Sequence, residues 1–132
     1  GMGTVGFVPD DLVANSNIPA DRMGAFALLR PGDDGGLAEI IEKPSPEVAE
    51  ALGPNRMVSM NCWLFGPEVF TACRSIEMSA RGEYEIVDAV RWLIDNGTRF
   101  GVVSSSEGVW DLSSRGDVRS VADALAGDEV LL

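Results

Sequence analysis

At 132 residues the chain is long enough for one domain with a single core, and it carries a formal net charge of −11. That balance excludes a nucleic-acid surface built on lysine and arginine clusters, and it repels phosphorylated ligands unless a local cation or a metal meets them. With no histidine in the sequence, Ser-His-Asp triads, Cys-His pairs and histidine-based zinc sites are excluded as well.

The chain opens Gly1-Met2-Gly3-Thr4, which mimics a phosphate-cradling glycine loop. Such a loop sits between a strand and a helix, whereas Val5-Gly6-Phe7-Val8 is itself strand-like. Gly1-Met2 reads instead as a cleavage scar at a fragment boundary. Thr4 to Val8 is expected as a strand closed by Pro9, and the polar stretch from Leu12 to Asp21 as an irregular loop. Met23 to Arg30 and Leu37 to Glu42 follow as two strands joined by the turn signal Pro31-Gly32-Asp33-Asp34-Gly35-Gly36, a hairpin. A short helix is expected around Pro46 to Leu52.

Val58 to Phe65 alternates clearly. Val58, Met60, Cys62 and Leu64 fall on one face, and Ser59, Asn61, Trp63 and Phe65 on the other. Gly66-Pro67 starts a helix that carries Val69, Phe70 and Cys73 inward. Glu83 to Asn96 is a second helix, with Ile86, Val87, Val90, Leu93 and Ile94 at the 3.6-residue period and Gly97 as its stop. Phe100 to Ser104 and Val109 to Leu112 read as strands. A last helix is expected with Asp117 as N-cap and Val118, Val121, Ala122 and Leu125 buried. Strands and helices alternate without a linker, so the fold class is α/β, a mixed sheet flanked by helices in one domain over residues 1–132. No apolar run approaches the roughly 20 residues of a membrane span, and no signal-peptide pattern opens the chain. Cys62 and Cys73 read as buried thiols of a reducing, cytoplasmic compartment.

Four positions carry candidate chemistry, each with a bland reading beside it. Glu42-Lys43 before Pro44 is either a solvated strand end or a ligand handle. The proline is expected to hold Lys43 extended and so aim its ammonium at a phosphate, while the glutamate accepts a sugar hydroxyl. Asn61, mid-strand beside Trp63, is either a satisfied polar residue or a contact to vicinal hydroxyls. Arg81-Gly82-Glu83 reads as a turn feeding a helix start. Asp111 is a lone carboxylate, short of a metal site by itself, and equally suited to tying down a turn.

The order of these pieces, EKP, then VSMNCWLFGPEVF, then SARGEYEIVDAV, then a strand and VWDL before a helix, resembles the sugar-phosphate nucleotidyltransferases. These include thymidylyl- and uridylyltransferases acting on glucose 1-phosphate, and the resemblance runs from about Arg22 to Ala126. It implies transfer of a nucleotidyl group from a nucleoside triphosphate to a sugar 1-phosphate with Mg²⁺, releasing pyrophosphate. By the same resemblance Glu42 and Lys43 contact the sugar and its phosphate, and Asn61 approaches the sugar. Asp111 shares the metal with an aspartate of an N-terminal half, and Arg81-Gly82-Glu83 is scaffold near the sugar. The glycine-rich nucleotide loop and the first aspartate of that half are absent here, and Ser113-Ser114 replaces the usual glycine and threonine. The expectation is therefore a partial Rossmann-like fold, the sugar-binding portion of an enzyme and inactive alone, with the nucleoside triphosphate as partner only when the other half is present. A non-catalytic sugar-phosphate-binding or regulatory module is the alternative.

Overall fold

The turn between the second and third strands closes as its composition dictates. Gly35 takes a φ of 73°, open to glycine without a side-chain penalty, and Asp34 Oδ1 accepts from Gly36 N at 2.9 Å. In the computed structural model, which describes residues 1–127, this turn joins β2 (Ala27–Pro31) to β3 (Leu37–Ile41) in antiparallel register, Leu28 opposite Ile41 and Leu29 opposite Ile40. With β1 (Met2–Phe7), β4 (Met57–Leu64) and β5 (Phe100–Ser105) they form one mixed sheet in the order β3-β2-β4-β1-β5. Only β1 and β5 run parallel to one another as neighbours. The hairpin tip reaches the far edge, where Val102 N donates to Gly35 O at 3.1 Å, so the two edges meet at one corner.

Alternation along the strands divides the core between the two sheet faces. On one face α3 (Val69–Ser75) and α4 (Ile86–Asp95) press Ala72, Val87, Val90 and Leu93 against Leu29, Ile40 and Phe100. On the other, α1 (Pro9–Asn15) and α2 (Pro46–Ala51) flank a cluster of Phe7, Leu12, Ile18, Leu28, Leu52 and Val58. Each fully buried aliphatic side chain stabilises the fold by about 1.5–3 kcal/mol. Ser45 caps α2 through Val48 N, with Pro46 in its first turn.

Several expectations give way. The stretch after Pro9 is not all loop: Pro9 opens α1, Asp10 and Asp11 complement its N-terminal dipole, and Leu12 anchors it in the core. A 3-10 helix covers Ala20–Ala25, so β2 begins at Ala27 rather than Met23. The first strand starts at Met2, which aligns with Phe100 of β5. Val109 to Leu112 is not a strand. Side chains of the crossing segment hold it instead: Ser16 Oγ accepts from Val109 N, and the Asn17 amide brackets the backbone of Asp111 with bonds of 2.7 and 2.8 Å. Gly108 makes this approach possible, since a Cβ there would fall on the Asn15 carbonyl.

α5 (Asp117–Ala124) has Gly116, not Asp117, at its N-cap, and it buries none of its residues. Val118 and Leu125 are exposed. Phe70 and Cys73 face outward from α3, where Val69 and Ala72 take the buried positions. Cys62 is exposed too, so neither thiol is buried. Val58 and Met60 pack toward α1 as their alternation requires, but Cys62 and Leu64 lie past the end of that cover. The β2–β4 register ends at Ser59, so Trp63 and Leu64 pair with β1 alone.

Candidate functional site

Strand register places the two halves of the expected sugar handle at one end of the sheet. Ile41, Leu28 and Val58 form a row across β3, β2 and β4. β3 and β4 run in the same direction, so Glu42-Lys43 leave β3 at the end where Asn61 interrupts β4. Two strand spacings, ~10 Å, separate them, and β2 has only begun between them.

Both sides of this notch have unusual backbones. Asn61 has a φ of 56° and sits at an irregularity of the β1–β4 ladder, where Gly6 opposes Ser59 but Thr4 opposes Trp63. Its side chain is exposed, and its Oδ1 receives a long contact of 3.5 Å from Trp63 Nε1. Trp63 stacks on Phe65 at 5.7 Å and meets Phe100 edge-on, so the indole is fixed from the core side. Lys43 has a φ of 44°, which corrects the expectation that Pro44 would hold it extended. The tight exit from β3 into the proline-bounded turn before α2 overrides the local preference. Its side chain is exposed.

Glu42 is half-buried, and burial pushes its carboxyl above the ordinary range. Arg81 and Lys43 act against that rise, while Glu85 and Asp88 add to it. Arg81 Nη2 lies 3.9 Å from Glu42 Oε1 and 2.5 Å from Glu85 Oε1. The turn that delivers it closes through Gly82 N to Ser79 O and Ser79 N to Glu83 O, each 2.8 Å, with Gly82 at a φ of 79°. Arg81 is thus a direct neighbour of Glu42, more than the scaffold element its sequence suggested. The signal for it lay in the Arg81–Glu85 spacing of four, which fixes a guanidinium at a helix start.

Asp111 belongs to a different cluster. Its Oδ2 accepts from Arg22 Nη2 at 2.5 Å and from Ser113 Oγ at 2.6 Å. The other guanidinium nitrogen of Arg22 lies 3.5 Å from Asp117 Oδ1. Asp117 Oδ2 in turn accepts from Ser114 N at 2.7 Å, Ser114 Oγ at 2.9 Å and Ser113 N at 3.2 Å. Those Ser114 bonds, ahead of Arg22, hold the Asp117 carboxyl below its usual value. Among the described residues no hydrogen bond or ion pair joins Asp111 to Glu42, Lys43 or Asn61, and no group of three or more cysteines and carboxylates assembles for a metal. With a guanidinium on its Oδ2, Asp111 does not fit a Mg²⁺ site built from this chain's residues.

An open cavity of about 520 Å³ adjoins the turn after Lys43, lined by Pro9, Met23, Leu28, Pro44, Arg56 and Val58 among others. It shares Pro44 and Pro46 with that turn but none of the candidate residues. No helix among the described residues is long and apolar enough to cross a membrane.

The mixed five-stranded sheet with helices on both faces is the α/β architecture that the sequence led us to expect, and comparison with known proteins agrees. The chain belongs to the nucleotidyl transferase family, whose model matches residues 12–127. It is 31% identical to a glucose-1-phosphate thymidylyltransferase of Streptomyces griseus over 94% of its own length and 31% of the relative's. It is 34% identical over 58% of its length to the UTP–glucose-1-phosphate uridylyltransferase AglF of Haloferax volcanii, covering 29% of that protein. Among solved structures, a UDP-glucose pyrophosphorylase complexed with UDP-glucose superposes with a TM-score of 0.66 at 16% identity, covering 96% of this chain and 45% of the other. A Bacillus anthracis protein assigned as a glucose-1-phosphate thymidylyltransferase, solved with sucrose, gives 0.64 at 23% identity and covers 100% and 46%. These two likenesses establish the fold. The chain spans about three-tenths of the length of the two curated relatives and under half of the solved ones.

Proposed function

We propose that this chain is the sugar 1-phosphate-binding portion of a nucleotidyltransferase that joins a nucleotidyl group to a sugar 1-phosphate and releases pyrophosphate. The observation that supports the reading is the strand register, which brings Glu42-Lys43 and Asn61 to the same end of the sheet, with Lys43 and Asn61 both in left-handed backbones. In this reading Lys43 meets the phosphate as a point charge, with Arg81 as a second cation beside it. Glu42, an anion whose burial leaves it eager for a donor, accepts a sugar hydroxyl. Asn61 offers both a donor and an acceptor to a neighbouring hydroxyl. In the family's reaction the sugar phosphate attacks the α-phosphorus, so these residues act by positioning and by neutralising charge.

The triphosphate, and the Mg²⁺ that neutralises it, belong to the complete enzyme; the family resemblance gives Asp111 a share of that ion with an aspartate of the other half, a share that the Arg22 pairing opposes. The cytoplasm, where such triphosphates are at hand, is the setting that goes with this reading. Beyond Ser59 the β2-facing edge of β4 has no strand partner among the described residues, which supports a larger sheet in the complete protein. A non-catalytic sugar-phosphate-binding module is the second reading, favoured by the commitment of Asp111 to Arg22.

Calorimetric titration of glucose 1-phosphate into the chain and into Lys43→Ala tests the site. Binding weakened about tenfold or more by the substitution is expected; binding indifferent to it would remove the sugar-phosphate handle. Incubation with nucleoside triphosphate, Mg²⁺ and sugar 1-phosphate is expected to release no pyrophosphate.

A further inference from the structure

The cation nearest to Asp111 is a residue of the chain itself. Arg22 sits in the 3-10 helix, whose turn closes by Arg22 N donating to Pro19 O at 3.0 Å. From there its planar fork reaches two carboxylates that sequence separates from it by about ninety residues: Asp111 Oδ2 at 2.5 Å and Asp117 Oδ1 at 3.5 Å. All three side chains are less than one-third exposed, so the pairs are partly shielded from solvent and from salt. The segment from Asn17 to Arg22 therefore grips the 109–117 loop twice, through the Asn17 amide on the Asp111 backbone and through the guanidinium on its carboxylate. Of the oxygens of Asp111 and Asp117, Asp111 Oδ2 and Asp117 Oδ2 already accept two or more bonds each. Asp117 Oδ1 faces Arg22, and Asp111 Oδ1 is left without a bonded partner among the described residues.

We infer that Arg22 is the resident counter-ion of this loop, a positioning residue that bridges Asp111 and Asp117 and thereby keeps divalent cations off Asp111 in this chain. A fixed guanidinium already stands between the two carboxylates, and its positive charge repels a cation within a partly shielded site. What stays open on Asp111 is a single oxygen. A metal shared with a carboxylate from elsewhere would find only Oδ1 of Asp111 unoccupied. This inference is independent of the sugar reading, because it concerns none of Glu42, Lys43 or Asn61.

The test is a Mn²⁺ titration followed by the electron paramagnetic resonance of free Mn²⁺, on the chain, Asp111→Asn, Arg22→Gln and the double variant Arg22→Gln/Asp111→Asn. The unaltered chain is expected to bind Mn²⁺ no more tightly than Asp111→Asn, both showing only the weak background of an acidic protein. Arg22→Gln leaves two uncompensated carboxylates side by side and is expected to bind about tenfold tighter, a gain abolished in the double variant. A merely structural arginine would not create a metal site on removal. Binding by the unaltered chain tenfold tighter than by Asp111→Asn overturns the inference, and so does a folded Arg22→Gln that gains nothing. Should circular dichroism show Arg22→Gln unfolded, the comparison of the unaltered chain with Asp111→Asn still decides.

Discussion

Lys43 and Asn61, on the two sides of one notch, are the non-glycine residues with left-handed backbones among the described residues, at φ 44° and 56°. Such conformations cost roughly 1–2 kcal/mol for an ordinary side chain and persist where the surroundings fix them. Asparagine tolerates the region; a lysine before proline does not, by either local rule. Lys43→Gly is therefore expected to raise stability by about 1 kcal/mol in urea unfolding while abolishing binding of sugar 1-phosphate. A less stable variant would show that the backbone at Lys43 is not strained, and one that still binds would remove Lys43 from the phosphate contact.

Glu42 makes stability depend on pH in a definite direction. Its folded-state carboxyl is raised above the ordinary glutamate value of 4.5 by burial first, with Arg81 and Lys43 opposing. The native state thus holds more protons than the unfolded chain in the window just above 4.5, and stability falls as pH rises through the folded value. Glu42→Gln is expected to flatten the melting temperature across that window and to raise it at neutral pH. The same change should weaken sugar 1-phosphate binding, since an amide replaces the anionic acceptor. A steeper profile in Glu42→Gln would reverse the sign and sink the assignment.

In the proposed site, substitution of Arg81 is the change expected to separate phosphate recognition from sugar recognition. As a partly exposed partner of Glu85 it contributes only about 0.5 kcal/mol to stability, so Arg81→Ala should melt close to the unaltered chain. Its loss is expected to weaken glucose 1-phosphate by about tenfold or more and to leave any binding of glucose itself far less changed. Equal weakening of both would make Arg81 a support for Glu42 and no contact to phosphate.

The sheet was legible where periodicity was long. Val58 to Phe65 and the helix around Val87, Val90 and Leu93 repeat over enough residues to name their faces, and the Asp34-Gly35 turn announces the hairpin. α1 was hidden because seven residues give no period, although Pro9 and the two aspartates marked its start. Burial of Cys62, Cys73 and the α5 residues could not be read from pattern, because an apolar stripe shows which face seeks cover without showing what covers it. Glu42 and Arg81 meet across the fold, and Arg22 and Asp111 lie 89 residues apart, so neither pairing has a local signature. The conformation of Lys43 ran against its own local signal and needed the fold to reveal it.

Ser59 tests how tightly the strand before Asn61 is packed. The residue is 2% exposed, and its Oγ has no hydrogen-bond partner among the described residues. It lies in a row of small residues, between Ala27 of β2 and Gly6 of β1, and at Gly6 an added Cβ would meet the Met57 sulfur at 2.6 Å. A buried hydroxyl left unpaired costs about 1–3 kcal/mol, and alanine preserves the small volume that the row requires. Ser59→Ala is therefore expected to unfold at a higher urea concentration, with a gain of about 1 kcal/mol and an unchanged slope, because the native surface stays the same. Ser59→Val should do the opposite, since a methyl in place of the hydroxyl and a second methyl beside it overfill a row where Met57 and Leu29 already fill the space over Gly6. A loss of stability in Ser59→Ala would mean that the hydroxyl does bond in the native state, and the small-residue row would then owe its serine to a polar contact at the foot of the notch.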